Sequence, residues 1–273
     1  MAITNKSFNK LTNQELSIQI SLNGLSFCII QKSIQTITTL KQVEFEKKLN
    51  PFELLNKLEE LFNTEKALQG GFDKVIVIHD NELSTIVPKA LFKEEAIADY
   101  LKFNSKILKS DYITYDEVEL SDSVCIYVPY ININNYLYDR FGSFTFKHIS
   151  TVLINSILQL EKNSEEPKVY INVKKNSFEF VAVKNAQLLF YNTFEYITKE
   201  DFIYYILFTA EQLNLNPEVF NLVFTGNINK QDEFYKIAYR YIRHITFGHR
   251  NNTNNFSEPV KYSYSNFALT NSL

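Results

Sequence analysis

The first regular pattern along the chain is an alternation of apolar and polar residues. Leu16–Leu22 reads LSIQISL, and a second apolar run, Leu25–Gln31, follows directly after Asn23 and Gly24. A period of two is typical of a half-buried strand, and Asn-Gly favours a hairpin because both residues tolerate positive φ. With a third strand over Thr36–Phe45, the pattern predicts a three-stranded antiparallel unit.

A capped helix and a buried strand are predicted next. Asn50 can accept hydrogen bonds from the first helical turn, Pro51 suits the first helical position, and Glu53 can complete a capping box. The stretch Asp73–Asp80, DKVIVIHD, then runs apolar without alternation. Such a run is typical of a strand that is covered on both faces.

The same order of elements recurs in the second part of the chain. In sequence, the predicted elements are a strand at Val169–Val173, a turn at Asn176-Ser177, a returning strand at Phe178–Val183, a third strand at Gln187–Phe194, a helix capped by Thr198 and a strand at Asn221–Gly226. The turns at Asn23 and Asn176 lie 153 positions apart, and the helix caps at Asn50 and Thr198 lie 148 apart. This conserved spacing predicts one duplicated supersecondary unit.

The segment between the two repeats is less regular. It contains predicted strands at Tyr112–Val118 and Val124–Val128 and predicted helices at Asn134–Arg140 and His148–Glu161. We therefore expect a first half at 1–166, with a small inserted subdomain at about 81–122, and a second half at 167–273.

Composition restricts the class of protein. The chain has 273 residues, of which 45% are hydrophobic and 22% charged, with a net charge of −3. These values predict a soluble globular protein whose electrostatic field is too weak to attract nucleic acid or an anionic membrane strongly. The longest apolar run, Phe202–Phe208, is far shorter than the ~20 residues of a membrane-spanning helix. Cys28 and Cys125 lie in strand-like runs, so we expect buried, reduced thiols and a cytoplasmic location.

Other groups of residues suggest chemistry less clearly. Phe234–Ser257 contains Lys236, Arg240, Arg243 and Arg250 among aromatic residues and no acidic residue. Such a segment can bind single-stranded nucleic acid, but a helix that runs into a strand and has a basic solvated face explains it better, and we do not expect nucleic acid as a partner. No histidine has a metal-ligand spacing, so no metal site is predicted. Asp80, which follows His79, is expected to cap a strand end.

The duplicated βββαβ order, with an insertion in its first half, resembles the actin-like ATPase superfamily. The pattern as a whole looks like an uncharacterised bacterial family, a domain of unknown function with that fold. The resemblance extends from about Leu16 to Leu269. It implies an α/β fold in which two ribonuclease H-like βββαβα halves surround a cleft.

The resemblance also implies where a ligand would bind. In active members each hairpin turn binds phosphate through glycine amides, and an Asp at the end of the first strand serves the metal or the attacking water. Here Ser21 stands in place of the first Asp, and Asn172 stands in place of the second. The expected cleft residues are Ser21, Asn23 and Gly24 in the first motif, Asn172, Lys174, Asn176 and Ser177 in the second, and Thr225, Gly226 and Asn227 at the remnant of an adenosine-binding Gly-Gly signature.

These replacements indicate that phosphate chemistry is lost. Neutral Ser and Asn bind Mg²⁺ less strongly than a carboxylate and are not general bases near neutral pH. We therefore predict a catalytically inactive protein without a cofactor, which serves as an interaction or scaffold module for a protein partner or a second copy. The alternative is a nucleotide-binding ATPase or switch with altered phosphate loops and Mg-ATP as cofactor. Lys174 and Lys175 could also hold an anion in the cleft, or they could be ordinary exposed turn lysines.

Overall fold

The computed structural model describes residues 12–103, 105–249, 255–257 and 264–273. The first repeat comprises β1 (Gln14–Ser21), β2 (Gly24–Gln31), β3 (Thr36–Glu44), α1 (Pro51–Thr64) and β4 (Lys74–Asp80). It is followed by β5 (Ser84–Pro88), α2 (Ile97–Lys102), β6 (Thr114–Val118), β7 (Ser123–Tyr127), α3 (Ile131–Phe141), β8 (Thr145–His148) and α4 (Ile149–Leu160). The second repeat comprises β9 (Lys168–Val173), β10 (Ser177–Lys184), β11 (Gln187–Glu195), α5 (Lys199–Gln212), β12 (Asn221–Gly226), α6 (Glu233–Tyr241), β13 (His244–Phe247), β14 (Asn255–Phe256) and α7 (Phe267–Asn271).

The two large sheets have the same topology. The first has the order β14-β3-β2-β1-β4-β8 and the second β11-β10-β9-β12-β13. Apart from β14, each sheet begins with three antiparallel strands. In the first sheet β4 then pairs parallel with β1 and β8 pairs parallel with β4. In the second sheet β12 and β13 extend β9 in the same way. The predicted α/β fold with two equivalent halves is therefore confirmed.

The helix caps form as the sequence predicts. The Asn50 side chain accepts hydrogen bonds from the amides of Phe52 and Glu53, and the Glu53 carboxylate accepts one from the Asn50 amide. Thr198 and Asp201 form the same capping box at α5. Each N-cap side chain contributes about 1 kcal/mol to helix stability, so both repeats start their helix with the same local device.

The two sheets are joined by a layer of helices. Leu153 of α4 and Leu269 of α7 belong to one apolar cluster that also contains Ile76 from the first sheet and Tyr170 and Val181 from the second. Because both sheets pack on this layer, their strand ends are held at fixed positions relative to each other.

The inserted segment forms its own antiparallel sheet, β5-β7-β6. Strand β7 lies in the middle of this sheet, so the sheet extends beyond the 81–122 range that we expect for the subdomain. Asp116 of β6 connects it to α4, since its carboxylate accepts hydrogen bonds from the His148 amide at 2.7 Å and the Thr151 hydroxyl at 2.9 Å. The division of the chain into halves at 166/167 stays a prediction.

The first hairpin turn differs from the expected Asn-Gly type. Ser21 pairs with Gly24, so Leu22 and Asn23 are the central residues, and neither Asn23 nor Gly24 has a positive φ. Glycine is needed at position 24 for a different reason, because an added Cβ would lie 2.7 Å from the Val43 carbonyl oxygen. The turn therefore uses glycine for a close approach between strands.

Several further expectations can be compared with the structure. Cys28 and Cys125 are both 0% exposed and neither is in a disulfide, as predicted. The basic segment folds as α6 and β13, while its Arg250 and the polar leader at 1–11 lie outside the described residues.

Candidate functional site

Both hairpin turns face one cavity of about 660 Å³. Of the ten expected cleft residues, eight line it: Ser21, Asn23, Gly24, Asn172, Lys174, Ser177, Gly226 and Asn227. Thr225 is buried behind the wall, where its hydroxyl donates to Asn172 Oδ1 at 3.0 Å. Asn176 is exposed, and its carbonyl accepts a hydrogen bond from the Tyr196 amide.

The strand registers correct one expected equivalence. In the first hairpin Ser21 pairs with Gly24, and in the second Lys174 donates its amide to the Ser177 carbonyl at the same place in the turn. Ser21 and Lys174 therefore hold equivalent positions. The residues two positions before them, Gln19 in β1 and Asn172 in β9, are equivalent as well. Gln19 rather than Ser21 is thus the first-half counterpart of Asn172. This equivalence could have been predicted from the sequence, because Gln19 and Asn172 are separated by 153 positions, the same spacing as the two turns.

Ser21 itself stabilises the turn. Its hydroxyl donates to the Gly24 carbonyl at 3.0 Å and accepts from the Asn23 amide at 3.2 Å. Because both hydrogen bonds lie within the hairpin, the Asn23 amide already has a partner and is not directed at a ligand.

A lysine crosses the cleft between two buried carboxylates. The ammonium of Lys174, at the second turn, pairs with Asp80 at the end of β4 and with Glu179 in β10. Asp80 is 7% exposed and Glu179 is 1% exposed. The side chain of Lys174 therefore connects the first half to the second inside the cavity.

The two equivalent amide side chains complete this cluster. Gln19 Nε2 donates to Asp80 Oδ2 at 2.9 Å, and Asn172 Nδ2 donates to Glu179 Oε2 at 2.9 Å. Each amide thus binds a carboxylate of its own half. We define Gln19, Asp80, Asn172, Lys174 and Glu179 as the cross-cleft cluster.

The charges in the cluster perturb its titration. Burial alone would lower the pKa of Lys174, but the adjacent carboxylates of Asp80 and Glu179 outweigh it and raise the pKa above its ordinary value. Burial raises the pKa of Glu179, and the attraction of Lys174 only partly offsets this effect. With one ammonium for two carboxylates, the cluster has little attraction for an additional anion.

Two further side chains connect the halves. Lys175 Nζ donates to the Phe45 carbonyl at 3.1 Å, and Asn227 Nδ2 donates to Glu44 Oε1 at 3.3 Å. Both lysines of the second turn thus have partners in the first half. Neither is the unpartnered turn lysine that an anion site requires.

Gly226 is explained by local packing. Its φ is +79°, and an added Cβ would lie 2.3 Å from the Val173 carbonyl oxygen. The Asn227 amide donates to that same carbonyl at 2.7 Å. The remnant of the Gly-Gly signature is therefore required for the contact between β12 and β9.

The buried histidines belong to the core near the cleft. His79 Nε2 is 3.0 Å from Asn134 Oδ1, and its Nδ1 accepts from the Tyr130 amide. Burial lowers the pKa of His79 to about 4 and that of His148 to about 3. Both rings are neutral near pH 7. Within the described ranges no three His, Cys, Asp or Glu residues are placed to hold a metal ion.

The basic segment shows ordinary packing. Arg243 pairs with Glu218 on the surface at 3.3 Å, and Tyr235 stacks on Phe247 with ring centroids 5.6 Å apart. In the part of the chain that the structure describes, no helix has the length and hydrophobicity to cross a bilayer.

The overall fold and the cleft define a protein of the actin-like ATPase fold. A crystal structure from Bacteroides thetaiotaomicron, of a protein with actin-like ATPase fold and unknown function, matches with a TM-score of 0.78 and 24% identity over 89% of this chain and 93% of that one. The chain belongs to the family described as protein of unknown function (DUF3822), whose family model matches residues 3–245. The PilM-PilN type IV pilus biogenesis complex also matches, with a TM-score of 0.57 and 12% identity over 94% of this chain and 96% of that one. No curated protein matches the sequence.

Proposed function

We propose that this protein is a catalytically inactive member of the actin-like fold, which works as an interaction or scaffold module. The observation that carries the proposal is the position of Lys174, whose ammonium lies between Asp80 and Glu179 in the cleft. In this arrangement a side chain of the protein connects the two halves, a connection that a nucleotide makes in active members.

The amide side chains support the loss of hydrolysis. Gln19 and Asn172 occupy equivalent strand positions, and each donates its NH₂ group to a carboxylate. An amide does not take up a proton near neutral pH, so neither residue can activate a water molecule as a general base. The carboxylates that remain, Asp80 and Glu179, are already paired with Lys174.

A role in protein interaction is supported by the fold comparison. In the PilM-PilN complex a protein of this fold is assembled with another protein. We extend this type of role, with a protein partner or a second copy, to the present chain. The buried thiols of Cys28 and Cys125 support the further proposal that it works in the cytoplasm, where thiols stay reduced.

The cavity favours a second candidate, a nucleotide-dependent switch. A volume of about 660 Å³ lies within the range of small-molecule sites. In this alternative the nucleotide would have to displace Lys174 from both carboxylates before its phosphates could enter.

Titration calorimetry with Mg-ATP and Mg-GTP separates the two candidates. The proposal expects no binding to the wild-type protein at protein concentrations of about 50 µM, a range that detects micromolar dissociation constants. Lys174→Met/Glu179→Gln is the matched comparison, since a switch that requires displacement of Lys174 should bind nucleotide more tightly once both the ammonium and one of its two carboxylate partners are removed. Metal-dependent micromolar binding to the wild type would overturn the proposal that the cleft takes no nucleotide and would favour the switch.

A further inference from the structure

The second sheet ends at strand β11. In the described part of the chain, β10 is the only sheet neighbour of β11. The equivalent strand of the first half, β3, is partly covered, because the Asn255 amide donates to Gln35 and the Ser257 amide to Ile37, both at 3.0 Å. Among the described residues, the same fold unit is thus covered at the β3 edge and has no further strand beside the β11 edge.

Along most of its length β11 lacks the charges and prolines that usually protect an open edge, and its main protective feature is the bulge at Leu189. From Gln187 to Phe194 it contains no charged residue and no proline. By contrast, β3 carries Lys41 within the strand, while both strands end in a glutamate, Glu44 in β3 and Glu195 in β11. Natural proteins protect exposed edge strands with charges, prolines or covering segments, because an unprotected edge pairs with another strand. The composition of β11 therefore indicates that another strand covers it.

Apolar side chains flank this edge. Leu189, at an irregularity of the β10–β11 register, is 42% exposed. On the α5 side Tyr205 stacks on Phe194 with centroids 5.1 Å apart. The neighbouring Tyr204 and Phe208 stack on each other at 5.6 Å and are 58% and 47% exposed. The edge and the exposed aromatic pair form a surface with both backbone hydrogen-bonding groups and apolar area.

We propose that β11 pairs antiparallel with β11 of a second copy, which joins two five-stranded sheets into one. The strand has nine residues, so alignment about its middle residue, Tyr191, places Gln187 of one copy opposite Glu195 of the other. Lys184 of β10 lies next to Gln187 in the sheet. At each end of the paired strands, the Glu195 carboxylate of one copy then lies near Gln187 and Lys184 of the other copy.

This charge arrangement favours a second copy as the occupant and antiparallel pairing as the geometry. In-register parallel pairing would place the two Glu195 carboxylates side by side, where like charges are destabilising. A two-fold axis that passes between the two strands, next to Tyr191 of each copy, makes both ends equivalent, as in most homodimers. The same axis places α5 of both copies on one face of the joined sheet. The inference is independent of the proposed loss of catalysis, since β11 lies at the sheet edge and its outer side is not part of the cleft.

Sedimentation or light scattering of the full chain tests the proposal. We expect a dimer at about 50 µM, and at least tenfold weaker dimerisation in Leu189→Lys and in Phe208→Glu. Asn192→Lys, at an exposed position of β11 beside the axis, should have the same effect and provides an independent variant if another fails to fold. Ile34→Lys is the matched control, because Ile34 is 62% exposed and lies between β2 and β3 of the first sheet.

Cross-linking tests the register. A short bis-maleimide should join Gln187→Cys to Glu195→Cys in a mixture of the two variants, while the fully buried native cysteines do not react. A monomeric wild-type protein at 50 µM would overturn the proposal. So would a dimer that persists in all folded β11-edge variants, or one in which these two cysteines do not cross-link.

Discussion

The cross-cleft cluster predicts a specific stability defect for Lys174→Met. This change keeps most of the side-chain length but removes the ammonium that pairs with Asp80 and Glu179. Both carboxylates are nearly inaccessible to water, with exposed fractions of 7% and 1%. Removal of one partner from a buried ion pair costs about 3–5 kcal/mol, because the remaining charge is buried without compensation. We expect the free energy of unfolding at pH 8 to fall by that amount.

The defect should depend on pH in a defined direction. Burial already raises the pKa of Glu179 above 4.5, its ordinary value, and loss of Lys174 raises it further. The folded variant therefore binds a proton at higher pH than the unfolded chain does. The defect should be complete above the folded pKa, and it should shrink as the pH falls toward 4.5.

Urea unfolding at pH 8 and pH 5 measures this defect. In Lys174→Met/Glu179→Gln one of the two unpaired carboxylates is gone while Asp80 remains, so we expect part of the lost stability to return at pH 8. Lys175→Met is the matched control and should cost about 1 kcal/mol or less, because Lys175 is an exposed residue whose ammonium donates to a backbone carbonyl. A Lys174→Met defect that is below 1 kcal/mol and the same at both pH values would refute the reasoning.

Three further predictions concern the core. Cys28 and Cys125 are fully buried, and burial raises the pKa of the Cys125 thiol. A thiol reagent should therefore label neither cysteine until denaturant is added. Rapid labelling of the native protein would contradict this prediction. Burial holds the pKa values of His79 and His148 in the folded protein below the ordinary value of 6.5. As the pH falls below 6.5, only the unfolded chain binds protons at these two rings. Each histidine should therefore lower the free energy of unfolding by roughly 2 kcal/mol at pH 5. The free energy of unfolding measured at pH 7, 6 and 5 should therefore decrease, and a flat profile would show that the rings are not buried as neutral groups. Gly226→Ala should lower the free energy of unfolding in denaturant by about 2 kcal/mol or more, because Gly226 has a positive φ and an added Cβ would clash with the Val173 carbonyl of β9. An unchanged denaturation midpoint would show that alanine fits at this position without strain.

The duplicated fold could be predicted from the sequence because its signals are local. Alternation in Leu16–Leu22, the capping boxes at Asn50 and Thr198, and the apolar run ending at Asp80 each depend on residues close together in the chain. Their repetition at similar spacing was sufficient to predict two equivalent halves. The same local signals gave the turn residues only to within one position, since turn type depends on the strand register.

The cross-cleft cluster could not be predicted in this way. Lys174 and Asp80 are separated by 94 positions and lie in different halves, and neither has a local pattern that identifies its partner. Glu179 lies in an apolar strand, where a single carboxylate gives no indication of the cation it meets. Gln19 could have been found from the turn spacing, which relates it to Asn172. Only the packing of both sheets on α4 and α7 brings these residues together.

The central claim, that the cleft has no hydrolytic activity, is tested most directly by phosphate release from Mg-ATP by the wild-type protein. The measurement should use saturating Mg-ATP, a parallel sample with excess chelator and a purified Lys174→Met variant, which controls for a contaminating ATPase. We expect the release rate of the wild type to equal that of buffer, with no change when the metal is removed. Phosphate release above background that is abolished by the chelator and altered in Lys174→Met would assign the activity to this cleft and contradict the claim.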